Sequence, residues 1–523
     1  MPFNVVHDRI GDWLGKHAFF PRHSAWVFTL LVCICCAWFG YFKFMDLRPQ
    51  GNHQWRQTDC LSITRNYYEE NRPFLQTATH FLGRDGTGQT MSEFPLVYAG
   101  MAQLWRLTGP SERMYRWVVF AFLLGGMVAM MKSIELLTEH SIAAILLVLL
   151  FFTSPIVSWY GLNFLSDVPA MGLSLMGAYW AVRYIKTPKI GMALVSLLLF
   201  LLAGLLKASA ALLPLVFCFL SAWHLVASPR SPESRRRLGG LIAFGALIGT
   251  WVCWYSYAAS FNEQHNVGQF LVGILPVWRL DSGRIQEVMS DFAGGIFPQV
   301  FRPGVWTFTL GCLLYLVVRL KHVPKWPGRF ALLSVGGCLG FILLFFDVFD
   351  NHDYYLLNMM PVFPVIWVTA FLTARNSDPG IFKSPILWML LVAFWLHNGD
   401  YARRRMSSRY GGWMNSRHER LTKPLEDITP WLRSQGIRRE DRFLVPGDST
   451  INVSLYLADQ KGWTDYADLS SPVTVDSFIR MGADHLMVLS NGLQGRDWLL
   501  EKFPDSVGMF GGVQVWRRND NPD

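Results

Sequence analysis

The chain has 523 residues, of which 51% are hydrophobic, 15% aromatic and only 16% charged, a balance too apolar for a water-soluble protein of this length. Its formal charge of +9 does not point to nucleic acid, because the basic residues gather between apolar runs, where they act as membrane-topology signals. Of eight cysteines, Cys33, Cys35, Cys36, Cys218, Cys253, Cys312 and Cys338 lie inside apolar runs and only Cys60 in a polar stretch, which argues against a disulfide scaffold and a zinc enzyme.

The first apolar run, Ala25 to Phe42, is long and lacks a small-residue cleavage site after it, so it reads as an uncleaved span. Further runs near the spanning length lie at 114–131, 141–158, 168–185, 190–206, 208–227, 238–259, 305–319, 330–347, 356–374 and 385–397. The expected fold class is therefore an α-helical polytopic membrane protein of about 11 spans. Arg9, Lys16 and Arg22 precede the first span, Arg230, Arg235, Arg236 and Arg237 follow the sixth, and Arg319, Lys321, Lys325 and Arg329 lie between the eighth and ninth. All three groups fall on one side, which predicts a cytoplasmic N-terminus and an outward C-terminus.

Three outward segments result: a first loop at 44–113, a second at 260–304, and everything after about residue 397. Residues 1–400 would form the transmembrane catalytic domain. Residues 401–440, basic and aromatic, would form an interfacial linker on the anionic membrane surface, or a plain linker. From 441 to 523 the composition turns globular. Strands are predicted at 442–446, 485–489 and 512–516 and helices at 450–459 and 475–481, giving a small extracytoplasmic α/β domain. Gly511-Gly512 has no phosphate-loop pattern and reads as a turn.

An ionisable group in an apolar run is costly unless it faces a cavity or a partner, so the few such residues are candidates for chemistry. Asp167 is the only charged residue between Ser141 and Val182, with Pro169 suited to the first turn of the fourth span. Lys207 is the only Lys, Arg, Asp or Glu from Ile190 to Val226, at the outward turn between the fifth and sixth spans. Glu93, in Ser92-Glu93-Phe94-Pro95-Leu96, stands at the entry of an apolar helix. In the first loop, His53, Arg56 and Asp59 follow at i, i+3 spacing and would share a helix face, with Asp59 held ionised by its cationic neighbours. The bland alternatives are an interfacial amphipathic helix for 53–59, a helix cap for Glu93 and an N-cap for Asp167.

The order of these features resembles the GT-C superfamily of protein O-mannosyltransferases and lipid A aminoarabinose transferases. The residues that carry the resemblance are Asp59, Tyr67, Glu93-Phe94-Pro95-Leu96, Gly109-Pro-Ser-Glu112-Arg-Met-Tyr-Arg116, Asp167, Leu205-Leu206-Lys207-Ala208 and His352-Asp353-Tyr354-Tyr355. It spans roughly residues 25–375. The chain departs from the family pattern in having Thr58 before Asp59, Phe94 in place of a lysine, and His352 where a lysine is usual.

The resemblance implies a glycosyltransferase whose donor is a sugar on a polyprenyl monophosphate and whose acceptor is a glycan, lipid or protein on the outer face. It implies Asp59 as base with Glu93 as its rival, and Lys207 with Arg56 as phosphate ligands. Asp167, His53, His352, Tyr354 and Tyr355 would position the acceptor or a metal, though a tyrosine pair at that depth also suits an interfacial anchor. No cofactor is certain; a divalent cation, magnesium or manganese, is the one that Glu93 and Asp167 could hold. Membrane lipids are expected partners and nucleic acid is not. Three other classes compete: an oligosaccharide ligase or polymerase with a diphosphate donor, a flippase for lipid-linked sugars, and a receptor or assembly protein that binds through residues 441–523. No internal repeat supports the flippase, and Asp167 and Lys207 count against a receptor that would need no charge in its spans.

Overall fold

The computed structural model describes residues 19–229, 234–270, 273–380, 384–411 and 418–519. Arg9, Lys16, Arg230 and part of the basic linker, 412–417, lie outside these residues. The chain divides into two compact units: Met1–Met45, Arg116–Trp254 and Ile274–Met406 form the first, and Asp46–Tyr115, Tyr255–Gly273 and Ser407–Asp523 the second.

The first unit is built from apolar helices. Among the described residues, six helical stretches are individually long and apolar enough to cross a bilayer: Arg22–Phe39, Glu112–Thr138, Ala208–Ala227, Arg236–Gln264, Lys325–Leu344 and Asp353–Ser377. A seventh results if the pair Ser282–Val300 and Pro303–Val318, bent by 89°, is one broken span. Helix is found over each of the segments predicted as spans, but two are short. The run from Ser141 breaks at Thr153-Ser154, before the proline-headed turn Pro155–Tyr160. The helix Ile190–Leu206 has 17 residues, about 26 Å at the α-helical rise against a hydrocarbon core of about 30 Å.

Glycine allows two helix backbones to meet in this unit. A Cβ on Gly172, in the helix Asp167–Lys186, would lie 2.3 Å from the Phe122 carbonyl oxygen, and one on Gly126 would lie 2.7 Å from Gly172 Cα. The backbones of the helices Glu112–Thr138 and Asp167–Lys186 therefore touch, as small residues allow where no hydrophobic force drives helices together in lipid. Gly172→Leu is expected to lower the melting temperature in detergent by roughly 5 °C or more, the consequence of about 1–3 kcal/mol of overpacking. Gly191, which has nothing within 4 Å of its would-be Cβ, should tolerate alanine without a shift.

The second unit holds a five-stranded sheet in the order β2-β1-β3-β5-β4, with β1 Arg442–Val445, β2 Lys461–Thr464, β3 Ala483–Val488, β4 Asp505–Phe510 and β5 Val513–Arg517. The strands β2, β1 and β3 run parallel, and β5 pairs antiparallel with both β3 and β4. Phe443, Leu444 and Val445 are wholly buried, as a central parallel strand requires. The β4–β5 hairpin turns at Gly511-Gly512, where φ is 55° and 87°, values that favour glycine at both turn positions. β2 and β4 were not foreseen from the sequence.

The segment 46–115 shares the second unit with 407–523. It packs with the C-terminal segment: Phe81 bridges to Gly462, and Leu82 N–H donates to the Gly462 carbonyl at 2.9 Å. Asn262, from the middle stretch, pairs its side-chain amide with both backbone groups of Met91.

Candidate active site

In the second unit the candidate residues are organised by the helix Gln54–Glu70. It ends at Asn71, which takes the left-handed cap conformation (φ 48°) that asparagine tolerates. The helix is polar yet buried: Gln57, Thr58, Asp59, Ser62, Thr64 and Asn66 are all 2% exposed or less. Such a helix is stable only if each polar group is bonded. Gln57 donates to the carbonyls of Gln50 and Asn52 at 2.9 Å, Thr58 to those of Gln54 and Trp55, and Asn66 to that of Ala78 at 2.8 Å. Ser62 and the His80 Nδ1 lie 2.5 Å apart.

Asp59 occupies the middle of this polar stretch and is wholly enclosed by the fold. Asn452, whose side chain is also buried, donates from Nδ2 to Asp59 Oδ1 at 3.3 Å. Burial pushes the Asp59 carboxyl up to about 7; Arg56 and the Asn452 amide pull it back, and Glu93 adds to the rise. This corrects the expectation that cationic neighbours hold Asp59 firmly ionised. Desolvation outweighs them: Arg56, which is also ion-paired with Glu93, lowers the carboxyl by less than burial raises it.

Glu93 does not cap the helix that follows it, which begins at Leu96 with Pro95 at the N-cap. Its carboxylate accepts hydrogen bonds from Arg56, Ser92 Oγ and Tyr98 OH, the last at 3.1 Å. The Arg56 guanidinium also lies over the Phe270 ring, 5.0 Å from its centroid. His53 differs from expectation as well. It sits at the N-cap, just before the helix begins, in a left-handed conformation (φ 54°). Glu112, from the Gly-x-x-Glu stretch, is paired with Arg48 at 3.0 Å and accepts from Tyr456 OH at 2.8 Å.

In the first unit, Asp167 opens the helix Asp167–Lys186, which ends with Arg183 and Lys186 in its last turn, charges that suit the helix dipole at both ends. The N-cap is Ser166, so Asp167 itself is not the N-cap. Its fully buried carboxylate meets Lys207 Nζ at 3.3 Å. Lys207 stands in an extended break (φ −157°, ψ 127°) between the helix Ile190–Leu206 and the short turn Ala208–Ala211. Its ammonium lies 5.4 Å from the Tyr354 ring centroid and 5.2 Å from that of Tyr355, and these two rings stack at 5.0 Å. Two aromatic faces and one carboxylate thus surround this cation in an apolar setting.

The tyrosine pair is thus built around Lys207. His352 is set edge-on to Tyr354 at 5.6 Å and lies 3.6 Å from Asp350. Two residues not singled out in the sequence join this group: Asp353, 3% exposed, accepts from Tyr160 OH. Asp353 stood inside the quoted His352–Tyr355 motif, so its charge was the available signal; Tyr160 gave none. Asn452 and Tyr98, likewise missed, carry no charge or motif that marks them.

Among the described residues, no group of three or more His, Cys, Asp or Glu is placed to hold a metal. Glu93 is paired with Arg56 and Asp167 with Lys207, so the donor set does not fit a protein-held divalent cation.

Comparison with solved structures gives the architecture a place. The structure of ArnT from Cupriavidus metallidurans bound to undecaprenyl phosphate matches 95% of this chain and 99% of its own, with a TM-score of 0.59 and 14% identity. Its apo form matches at a TM-score of 0.58. The fold is GT-C. The arabinofuranosyltransferase AftD from Mycobacteria matches at a TM-score of 0.53 and 13% identity over 94% of this chain, which spans 40% of that larger protein. No family model and no curated protein matches the sequence.

Proposed function

We propose that this chain is a membrane glycosyltransferase that moves a hexose or pentose from a polyprenyl monophosphate to a hydroxyl of a glycan, lipid or protein acceptor. The observation that carries the reading is Asp59: a buried carboxyl with a pKa near 7 and one oxygen held by an amide donor is suited to take a proton at neutral pH. The GT-C fold, shared with a protein solved with undecaprenyl phosphate, supports the choice of a lipid-linked donor.

In this reading the acceptor oxygen attacks the anomeric carbon as its proton passes to Asp59. The bond from that carbon to the phosphate oxygen breaks, and the polyprenyl phosphate leaves with an added negative charge. Lys207 neutralises that charge, exchanging part of its interaction with Asp167 for the phosphate. Glu93 holds Arg56, and the Tyr354–Tyr355 stack with His352 shapes the surroundings of Lys207. Asp167 orients the lysine. The chain would cross the inner membrane about 11 times, with the N-terminus in the cytoplasm and the C-terminal segment outside.

The test uses purified protein in lipid nanodiscs and a panel of undecaprenyl-monophosphate-linked hexoses and pentoses, labelled in the sugar. Consumption of one donor with release of undecaprenyl phosphate is expected when membrane extract supplies the acceptor. Release of a diphosphate from an undecaprenyl-diphosphate oligosaccharide, with none of the monophosphate donors consumed, would favour the ligase reading instead.

A further inference from the structure

Asn452 heads the short helix Val453–Leu457, where asparagine ordinarily turns its side chain back to cap the helix. Here it makes no cap hydrogen bond. Thr450 Oγ1 accepts from Val453 N–H at 3.0 Å and Asp448 Oδ2 from Ser454 N–H at 3.0 Å, so the cap is supplied by two other residues. The Asn452 amide is thereby directed elsewhere. Its Oδ1 accepts from Phe81 N–H at 3.2 Å and its Nδ2 donates to Asp59 Oδ1 at 3.3 Å. Because the first contact requires the oxygen, the amide can present only its NH₂ to the carboxyl.

We propose that Asn452 is a positioning residue for Asp59, holding Oδ1 so that Oδ2 is the atom that takes the proton. The inference rests on Asp59 being the base. An NH₂ group can bond only to a lone pair, so it favours the carboxylate over the acid in a setting where burial favours the acid. Of the charged and titratable groups around Asp59, Arg56 also favours the carboxylate, whereas Glu93 opposes it; the Tyr466 hydroxyl is itself pushed up by burial and then by the Asp59 charge. The Cys60 thiol, next in the chain, is likewise raised by burial and by the Asp59 charge. Asn452 is a neutral donor hydrogen-bonded to Asp59, and it reaches it from 393 positions further along the chain.

The experiment compares transfer against pH, with the donor identified above, for the wild type, Asp59→Asn, Asn452→Asp and Asn452→Ala. Asn452→Asp keeps an oxygen for Phe81 N–H but sets a second acid against Asp59. The acidic limb of its rate profile should rise by about one pH unit or more, a loss of about tenfold at pH 6.5 that recovers at high pH. Asn452→Ala should shift the limb in the same direction by less and lower the plateau, since the carboxyl is no longer held in one orientation. A purely structural role would lower the acidic limb and the plateau together and leave the midpoint in place. If Asp59→Asn is inactive while both Asn452 variants keep the wild-type midpoint, the positioning role is wrong and the base stands. Should Asp59→Asn remain active, the base reading fails and this inference fails with it. A variant that does not fold is recognised by loss of its size-exclusion peak, and the other then decides.

Discussion

Asp59→Asn is expected to lose at least about 10²-fold in the rate of sugar transfer, the usual cost of removing a positioned base, with donor binding retained. In the wild type the rate should climb with pH through about 7 and then level, because the carboxyl must lose its proton before it can take one from the acceptor. The same shift has a signed effect on stability. The folded carboxyl titrates near 7 against 3.8 for an ordinary aspartate, so its contribution to stability is full below about 4 and is lost as the pH rises through about 7. Asparagine carries no such charge. The inactive variant should therefore melt higher than the wild type at pH 8, with the gap shrinking towards pH 5. Scanning fluorimetry at both pH values and transfer kinetics would decide the point. A rate near that of the wild type for Asp59→Asn, with Glu93→Gln inactive, would move the base to Glu93.

The second large effect is expected at Lys207. Removing it by Lys207→Met takes the partner from a fully buried carboxylate, a change that typically costs about 3–5 kcal/mol. Loss of donor binding alone would thus be confounded with loss of fold. The double variant Lys207→Met with Asp167→Asn removes both charges and should recover most of the melting temperature. Undecaprenyl phosphate should still bind it at least about tenfold more weakly than it binds the wild type, since a point charge near phosphate is gone. Lys207→Arg should restore stability and only part of the affinity, because a planar guanidinium does not replace an ammonium between two tyrosine rings. Unchanged binding by the double variant would end the phosphate role.

Legibility in the sequence followed physical cost. Asp167 and Lys207 stood out because a charge among apolar residues must be compensated, and they are found paired with each other. The parallel strands β1 and β3 were readable from short apolar runs, whereas β4, with its Asp505, Ser506 and exposed Met509, has no apolar alternation to mark it. Arg56 and Asp59 were legible as a helical pair, but the helix begins one residue after His53, and sequence spacing does not locate such a boundary. That Arg56 is claimed by Glu93, 37 positions away, depends on tertiary packing. Asn452 was invisible for a different reason: its segment reads as an appended domain with its own core, and the bond to Asp59 is long-range.

The second unit is stitched from three separated stretches, 46–115, 255–273 and 407–523, and this sets an order of events during synthesis. Asp59 emerges early from the ribosome, yet its enclosure waits for a partner near the far end of the chain. Contacts of such sequence separation form late, after the entropy of closing a very long loop has been overcome. Until residue 452 has been made, the Asp59 carboxyl has no Asn452 amide to hold it. In the proposed reading, a chain interrupted between the last apolar helix and that point would carry the charges within the helices without a positioned base, so incomplete copies would be inert.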